Sequence, residues 1–390
     1  MSNEIAYINK NTLQKLREHY KFVLDDFAKI TEISPKNLRY FEDNSHNSYP
    51  SFNQIKRIAS LLNKPFISLF LDFDLIYPMF KQFDADKRII YGTDTYNEGM
   101  FNLFVEDLLI KRDIYYECQK NLGQSIEKID PKIFDIYNSN LIVLANNIRN
   151  YFNIDINIKL NSMRKYYLYI VKLIEDKNIF IQNFRAKNLE TARGIAIYDR
   201  ILPIIGVNIK DKYPAKLFTI FHELVHILIK NITICSNIEY GKTSDKEEIY
   251  CNLVAAETLA PRKLIFAELR DNNIQSPQLK DINEMSAKFH VSNEVIIRRL
   301  YDFKIINKEQ YFRFISTLKM VTKQLKENNK DKNKGFNNYK YTLVDSNSQK
   351  LCVALLNCFT RGFINKFDIG DYLDFDYKYT DGFLKEVSNG

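Results

Sequence analysis

His222-Glu223-Leu224-Val225-His226 is the segment of this 390-residue chain best equipped for chemistry. Leu217, Ile220, Phe221, Leu228 and Ile229 around it suit a helix. On a helix two histidines four residues apart share a face, so two imidazole nitrogens converge on one metal ion. Glu223 is then placed to take a proton from an attacking water. The plain alternative is a pair of histidines satisfied by hydrogen bonds on a buried helix. With only five histidines in the chain, that spacing seldom arises by chance.

A catalytic zinc site takes three protein ligands and leaves one position open. The stretch Ser244-Asp245-Lys246-Glu247-Glu248 offers the third. Ser244 and Glu247 have capping-box spacing, which occupies Glu247 at a helix start. Glu248 is therefore expected to be the third ligand, with Glu247 or Asp245 as the fallback. The competing reading is that all three acids merely favour a helix N-terminus. Asn252 lies four residues after Glu248, on the same face, and is expected to orient a ligand by hydrogen bonding. Cys251 reads as a small buried hydrophobe. His290 reads as a cap-region residue before Val291-Ser292, and His19 and His46 lie far along the chain. None of these three histidines is assigned to metal.

The elements that must carry these residues follow from length and pattern. At about 100–200 residues per domain, 390 residues predict two or three domains. A hydrophobic fraction of 45% excludes wholesale disorder, and 11 Gly with 9 Pro favour long helices. No run of about 18 apolar residues is present, so no membrane span is expected. The start has acid and polar residues where a signal peptide needs an apolar stretch. Five cysteines without CxxC pairs read as reduced thiols, and a cytoplasmic location is expected. The net charge of +8 permits nucleic-acid contact without demanding it.

Residues 1–75 read as short helices over Thr12–Tyr20, Leu24–Thr31 and Pro35–Asn44, with a further one opening at Pro50-Ser51. Ser34 is a good N-cap with Pro35 at the first helical position, and Ser51 with Gln54 has capping-box spacing. Residues 76–139 read as a helical connector, 80–175 being amphipathic throughout. Strands are expected at Ile179–Ile181, Gly194–Tyr198 and Leu202–Asn208, the last two joined by a hairpin turn at Asp199-Arg200. Either of that pair would give an edge for an extended peptide. Helices resume from about Pro214. Lys319–Lys340 holds seven lysines against two acids, so 311–340 reads as a basic helix and linker before a small extension at 341–390. The fold class is mainly α with a small β-sheet (α+β).

Residues of about 140–310 resemble the ImmA/IrrE family of metallo-endopeptidases. The matching pieces are Pro203–Asn208, Phe218–Phe221 leading into His-Glu-Leu-Val-His, Glu248 to Asn252, Ala255–Pro261, and Val291-Ser292 with Arg299-Leu300. In that family a glutamate ligand lies four residues before an asparagine, which implies Glu248 here. Leu259-Ala260-Pro261 departs from a more usual Leu-Met-Pro, and Cys251 stands where alanine is common. Residues 10–71 resemble an XRE-type helix-turn-helix of the lambda-repressor class, with Pro35–Asn44 as recognition helix offering Lys36, Asn37, Arg39 and Tyr40 to the major groove. Glu42 and Asp43 thin its basic character. Such folds also bind proteins or self-associate, which allows a homodimer.

The resemblance implies a helix-turn-helix bundle followed by a zincin-like domain: a Zn2+-dependent endopeptidase fused to a module that binds double-stranded DNA. Its substrate would be one partner, such as a transcriptional repressor encoded nearby. The alternative is a DNA-binding regulator or antitoxin-like protein whose metal site senses or stabilises without proteolysis.

Overall fold

The computed structural model describes residues 4–62, 64–76, 88–90, 98–184, 193–199, 201–234, 245–328 and 343–389. The chain divides into two compact units, one of Met1–Arg88, Thr93–Ile114 and Phe184–Ala192, the other of Ile89–Gly92, Tyr115–Asn183 and Arg193–Gly390.

The first unit opens with α1 (Lys10–His19), α2 (Leu24–Thr31), α3 (Pro35–Glu42), α4 (Phe52–Leu61) and the short α5 (Phe73–Ile76). Leu13, Leu16, Phe27, Leu38, Ile55 and Ile58 are fully buried, the helical spacing of one apolar stripe from each helix. Ser34 caps α3 by accepting from the Asn37 amide, and Pro35 occupies its first position. Ser51 and Gln54 form a complete capping box at α4. The turn between α2 and α3 is tight because Glu32 adopts a left-handed conformation (φ 57°). Lys10 is buried, and its Nζ donates to the carbonyls of Tyr40, Asp43 and His46. One cation thus satisfies backbone acceptors at and just beyond the α3 C-terminus. The helix ends at Glu42 rather than at the expected Asn44.

The second unit contains the end of α6 (Glu98–Asn121) from Tyr115 on, then α7 (Leu141–Tyr151), α8 (Met163–Glu175), and strands β2 (Phe180–Phe184), β3 (Gly194–Tyr198) and β4 (Ile204–Asn208). A long α9 (Tyr213–Ile234) is followed by α10 (Asp245–Leu259), α11 (Arg262–Asp271), α12 (Leu279–Lys288), α13 (Asn293–Asp302) and α14 (Lys308–Asn328). Every residue of β2, β3 and β4 is buried. β3 therefore reads as a continuous apolar run rather than an alternating one, as does β4 up to Asn208, whereas β2 carries the buried polar Gln182 and Asn183. β3 and β4 are antiparallel, pairing Gly194 with Val207 and Ile197 with Ile204. Their connection spans residues 199–203, longer than a two-residue turn, and is held by the Asp199 carboxylate accepting from the Ile201 and Leu202 amides.

A short strand β1 (Arg88–Ile90) lies within the stretch expected to be helical, and the sheet order is β1-β3-β4-β2. This corrects the edge expectation, since β3 and β4 are both inner strands with their backbone groups taken by neighbours on each side. α9 lies against β3 and β4 and packs on α8 and α10. Its Leu217, Ile220, Phe221, Leu224, Val225 and Leu228 have no exposure.

The last segment supplies α15 (Gln349–Thr360), α16 (Lys366–Leu373) and α17 (Thr380–Ser388). Ser348, the α15 N-cap, donates to the buried carboxylate of Glu175, which also accepts from the Ile181 and Lys350 amides. Burial pushes the Glu175 pKa up to about 7 despite those donors. The lysine-rich linker expected beyond Asn328 lies outside the described residues.

Candidate metal centre

α9 presents His222 and His226 one turn apart, and the first turns of α10 bring Glu248 against them. The His222 and His226 Nε2 atoms are 3.1 Å apart. Glu248 places Oε2 3.2 Å from His222 Nε2 and Oε1 3.3 Å from His226 Nε2. Zinc bonds of about 2.0–2.1 Å at tetrahedral angles separate neighbouring ligand atoms by about 3.3–3.4 Å. The three observed separations fit one ion at their centre. Glu248 Oε1 is moreover buried and faces His226 Nε2 within the cluster.

The outer imidazole nitrogens are engaged as well. His222 Nδ1 lies 3.1 Å from Asn252 Oδ1, and His226 Nδ1 lies 3.3 Å from Glu247 Oε1. An acceptor at Nδ1 holds the proton there and leaves the Nε2 lone pair facing inward. Glu247 therefore sits behind His226 rather than among the converging atoms. The capping role expected of it with Ser244 lies outside the described residues, as does the Asp245 side chain. Cys251 is buried, as its sequence context suggested, yet its Sγ is 3.7 Å from His226 Nδ1.

The electrostatics favour a cation. Burial alone would lower the His226 pKa, but Cys251, Glu247 and Glu248 outweigh it and push it up to about 12. Burial opposes ionisation of Glu248, but hydrogen bonds from His222 and His226 hold its carboxyl well below the usual range. The cluster grips a proton where a metal ion would supply more positive charge.

Glu223 lies against β3 beside Gly194 and is only 6% exposed. Burial pushes its pKa up, partly offset by the two histidines. Gly194 makes this placement possible. A Cβ there would lie 2.4 Å from Glu223 Oε1 and 2.4 Å from Thr219 Cγ2. Moving a carboxylate tip costs little stability, but a misplacement of about 1 Å in a reacting group costs about 10²-fold in rate. Gly194→Ala is therefore expected to cut turnover by about that factor while metal content holds, with a lowered thermal midpoint because the buried Thr219 methyl must also give way. Unchanged turnover with the same fold would show that the slot does not position Glu223.

Elsewhere, Lys36, Asn37 and Arg39 are exposed along one face of α3, and Tyr40 is half-buried, stacked on His46 at 4.2 Å. Glu42 turns inward and pairs with Arg17 at 2.8 Å, so its charge does not weaken that face as its sequence position suggested. His290, just beyond α12, has φ 55° and stacks on Tyr166.

Sequence reasoning passed over a second buried constellation. Glu257 near the end of α10 pairs with Arg299 of α13, and both are at most 3% exposed. The Glu257 carboxylate also accepts from the Arg262 amide, capping α11, while Arg299 Nε donates to the Ala260 carbonyl.

A family model described as the IrrE N-terminal-like domain of the M78 peptidases matches residues 174–301, about a third of the chain. The matched stretch runs from the end of α8 into α13 and holds His222, Glu223, His226, Glu247, Glu248 and Asn252. It supports a relationship to the ImmA/IrrE family and a metallopeptidase-type function. No curated protein matches the chain. Among the described residues, no helix is long and apolar enough to cross a membrane.

Proposed function

We propose that the chain is a zinc endopeptidase that cleaves one partner protein, and that its N-terminal module binds DNA. The observation that carries the first half is the convergence of His222 Nε2, His226 Nε2 and the Glu248 carboxylate at zinc-ligand spacing, with the buried Glu223 carboxyl close enough to feel the charge of all three. Zinc held there would polarise a scissile carbonyl and acidify water. Glu223 takes the proton of the attacking water and returns it to the departing amine. Its burial suits the first task, because a carboxylate with a raised pKa is a stronger base towards the attacking water. Asn252 and Glu247 keep the two imidazoles in the tautomer that binds a cation.

Metal analysis tests the assignment. Purified protein is expected to carry about one zinc per chain, lost in His222→Ala and His226→Ala and weakened in Glu248→Ala. Equal zinc in wild type and His222→Ala would overturn the site. Full retention in Glu248→Ala would pass the third position to Glu247.

For the first unit the proposal is a helix-turn-helix made by α2 and α3. It rests on the polar face of α3 and on Glu42 being neutralised from within. Arg39→Ala is expected to weaken binding to the gene's own promoter in gel shifts at fixed salt. One lost base contact costs about 1–3 kcal/mol and relaxes sequence preference, whereas a lost phosphate contact weakens all sequences alike. No promoter binding by wild type would leave α3 as a protein-contact surface. Tethering at a promoter would raise the effective concentration of a repressor substrate bound there.

A further inference from the structure

A cavity of about 730 Å³ opens between α7 and α11, away from the metal centre. Its floor is apolar, built from Ile142, Ile156, Leu264 and Phe266, with Ile142 43% and Phe266 40% exposed. Ile142 and Phe266 leave apolar surface open to water on the two helices that flank the groove. Its rim is cationic, formed by Arg262, Lys263 and Arg270, while Arg149 beside them is half-buried and donates to the Glu257 and Thr258 carbonyls. The one acid in the lining, Glu257, has its carboxylate turned to Arg299 and the Arg262 amide. Arg270 has a partner in Asp271. Arg262 lies over the Phe266 ring, 5.3 Å from its centroid, so cation and apolar floor form one continuous surface.

The placement of these cations is not explained by helix stability. Arg262 and Lys263 occupy the first turn of α11, which contains no acid, where the macrodipole favours acids and disfavours cations. Both are exposed.

We propose that this groove docks a short acidic, amphipathic protein segment. Apolar side chains recurring at i, i+3 or i+4 would fill the floor while flanking Asp and Glu meet the rim. Nucleic acid is the poorer fit, because its phosphates would satisfy the rim and leave the floor exposed to water. The groove shares α10 with the metal centre. Glu257, in its lining, lies nine residues after Glu248, or about 14 Å along the helix axis. A segment seated in the groove would need at least about four extended residues to bring a bond to the metal centre. That consequence rests on the peptidase reading, whereas the docking itself does not.

The test uses the full-length protein and fluorescence anisotropy. The probe is an array of labelled 14-residue peptides with Leu or Phe at i, i+3, i+4 and i+7 and Glu or Asp between them. The control probes are the same peptides with Lys for the acids, acidic peptides without the apolar residues, and a duplex DNA of equal charge. Acidic amphipathic peptides are expected to bind, less tightly as salt rises, and at least tenfold more weakly to Arg262→Glu/Lys263→Glu. That variant adds acids to a helix N-terminus, so its helix is not put at risk. Phe266→Ala is expected to weaken binding without altering zinc content or salt dependence. Equal binding by the charge-reversed variant, binding as tight by DNA or by the apolar-free peptides, or no binding across the array would each overturn the proposal. Because binding is read without cleavage, an inactive metal centre would not disturb the result.

Discussion

Glu223→Gln protein is expected to keep its zinc and to lose about 10²–10⁴-fold in substrate cleavage, the range associated with a positioned general acid–base. Glutamine has nearly the shape of glutamate and fits the slot beside Gly194, so packing against β3 is preserved. What disappears is the ability to accept and return a proton. The converging atoms of His222, His226 and Glu248 do not include Glu223, so metal content should match wild type. The measurement pairs metal analysis with a cell-based assay of the partner's cleavage and of the genes it controls. If the variant retains zinc and those genes respond as before, the protein acts by binding, and a regulator whose metal site stabilises or senses replaces the peptidase reading. If it loses zinc, Glu223 has a structural part in the site and the division of labour drawn above is wrong.

What could be read from the sequence was local. The histidine pair, Glu223 between them, and Glu248 with Asn252 are each set by spacing of four residues or fewer on one helix, and helical periodicity fixes such relations. The caps at Ser34 and Ser51 were readable for the same reason. What escaped was fixed by packing between segments far apart. Gly194 gives no sign in its own neighbourhood that it faces Glu223, 29 residues later. Strand β1 is three residues long, too short for an alternating pattern to announce it. β3 and β4 were findable as apolar runs and β2 only through Phe180 and Ile181, but their order was not, so inner strands were taken for edges. Glu42 illustrates the limit within a single helix. Its position on α3 suggested a charge near the exposed face, and only Arg17, 25 residues earlier, turns that charge inward.

The Glu257–Arg299 pair is expected to be the most costly contact in the second unit to break from one side. Arg299→Leu leaves the buried Glu257 carboxylate with the Arg262 amide and the nearby charge of Arg149, but without its ion-pair partner. Removing one partner of a buried ion pair costs about 3–5 kcal/mol, because the remaining charge keeps its desolvation penalty without its compensation. That is a sizeable share of the roughly 5–15 kcal/mol that holds a typical domain folded. The double variant Glu257→Gln/Arg299→Leu should recover most of the loss, since glutamine carries no charge and its carbonyl still accepts from the Arg262 amide. Urea unfolding of the metal-free protein reads the difference as a change in midpoint at constant slope. Added zinc should then raise the midpoint of Arg299→Leu, because α10 carries Glu248 at one end and Glu257 at the other, and a ligand bound only to the folded state stabilises it by mass action. A single variant as stable as wild type, or a double variant no better than the single, would mean that water reaches Glu257. Pairing with Arg299 would then not be what keeps the end of α10 in place.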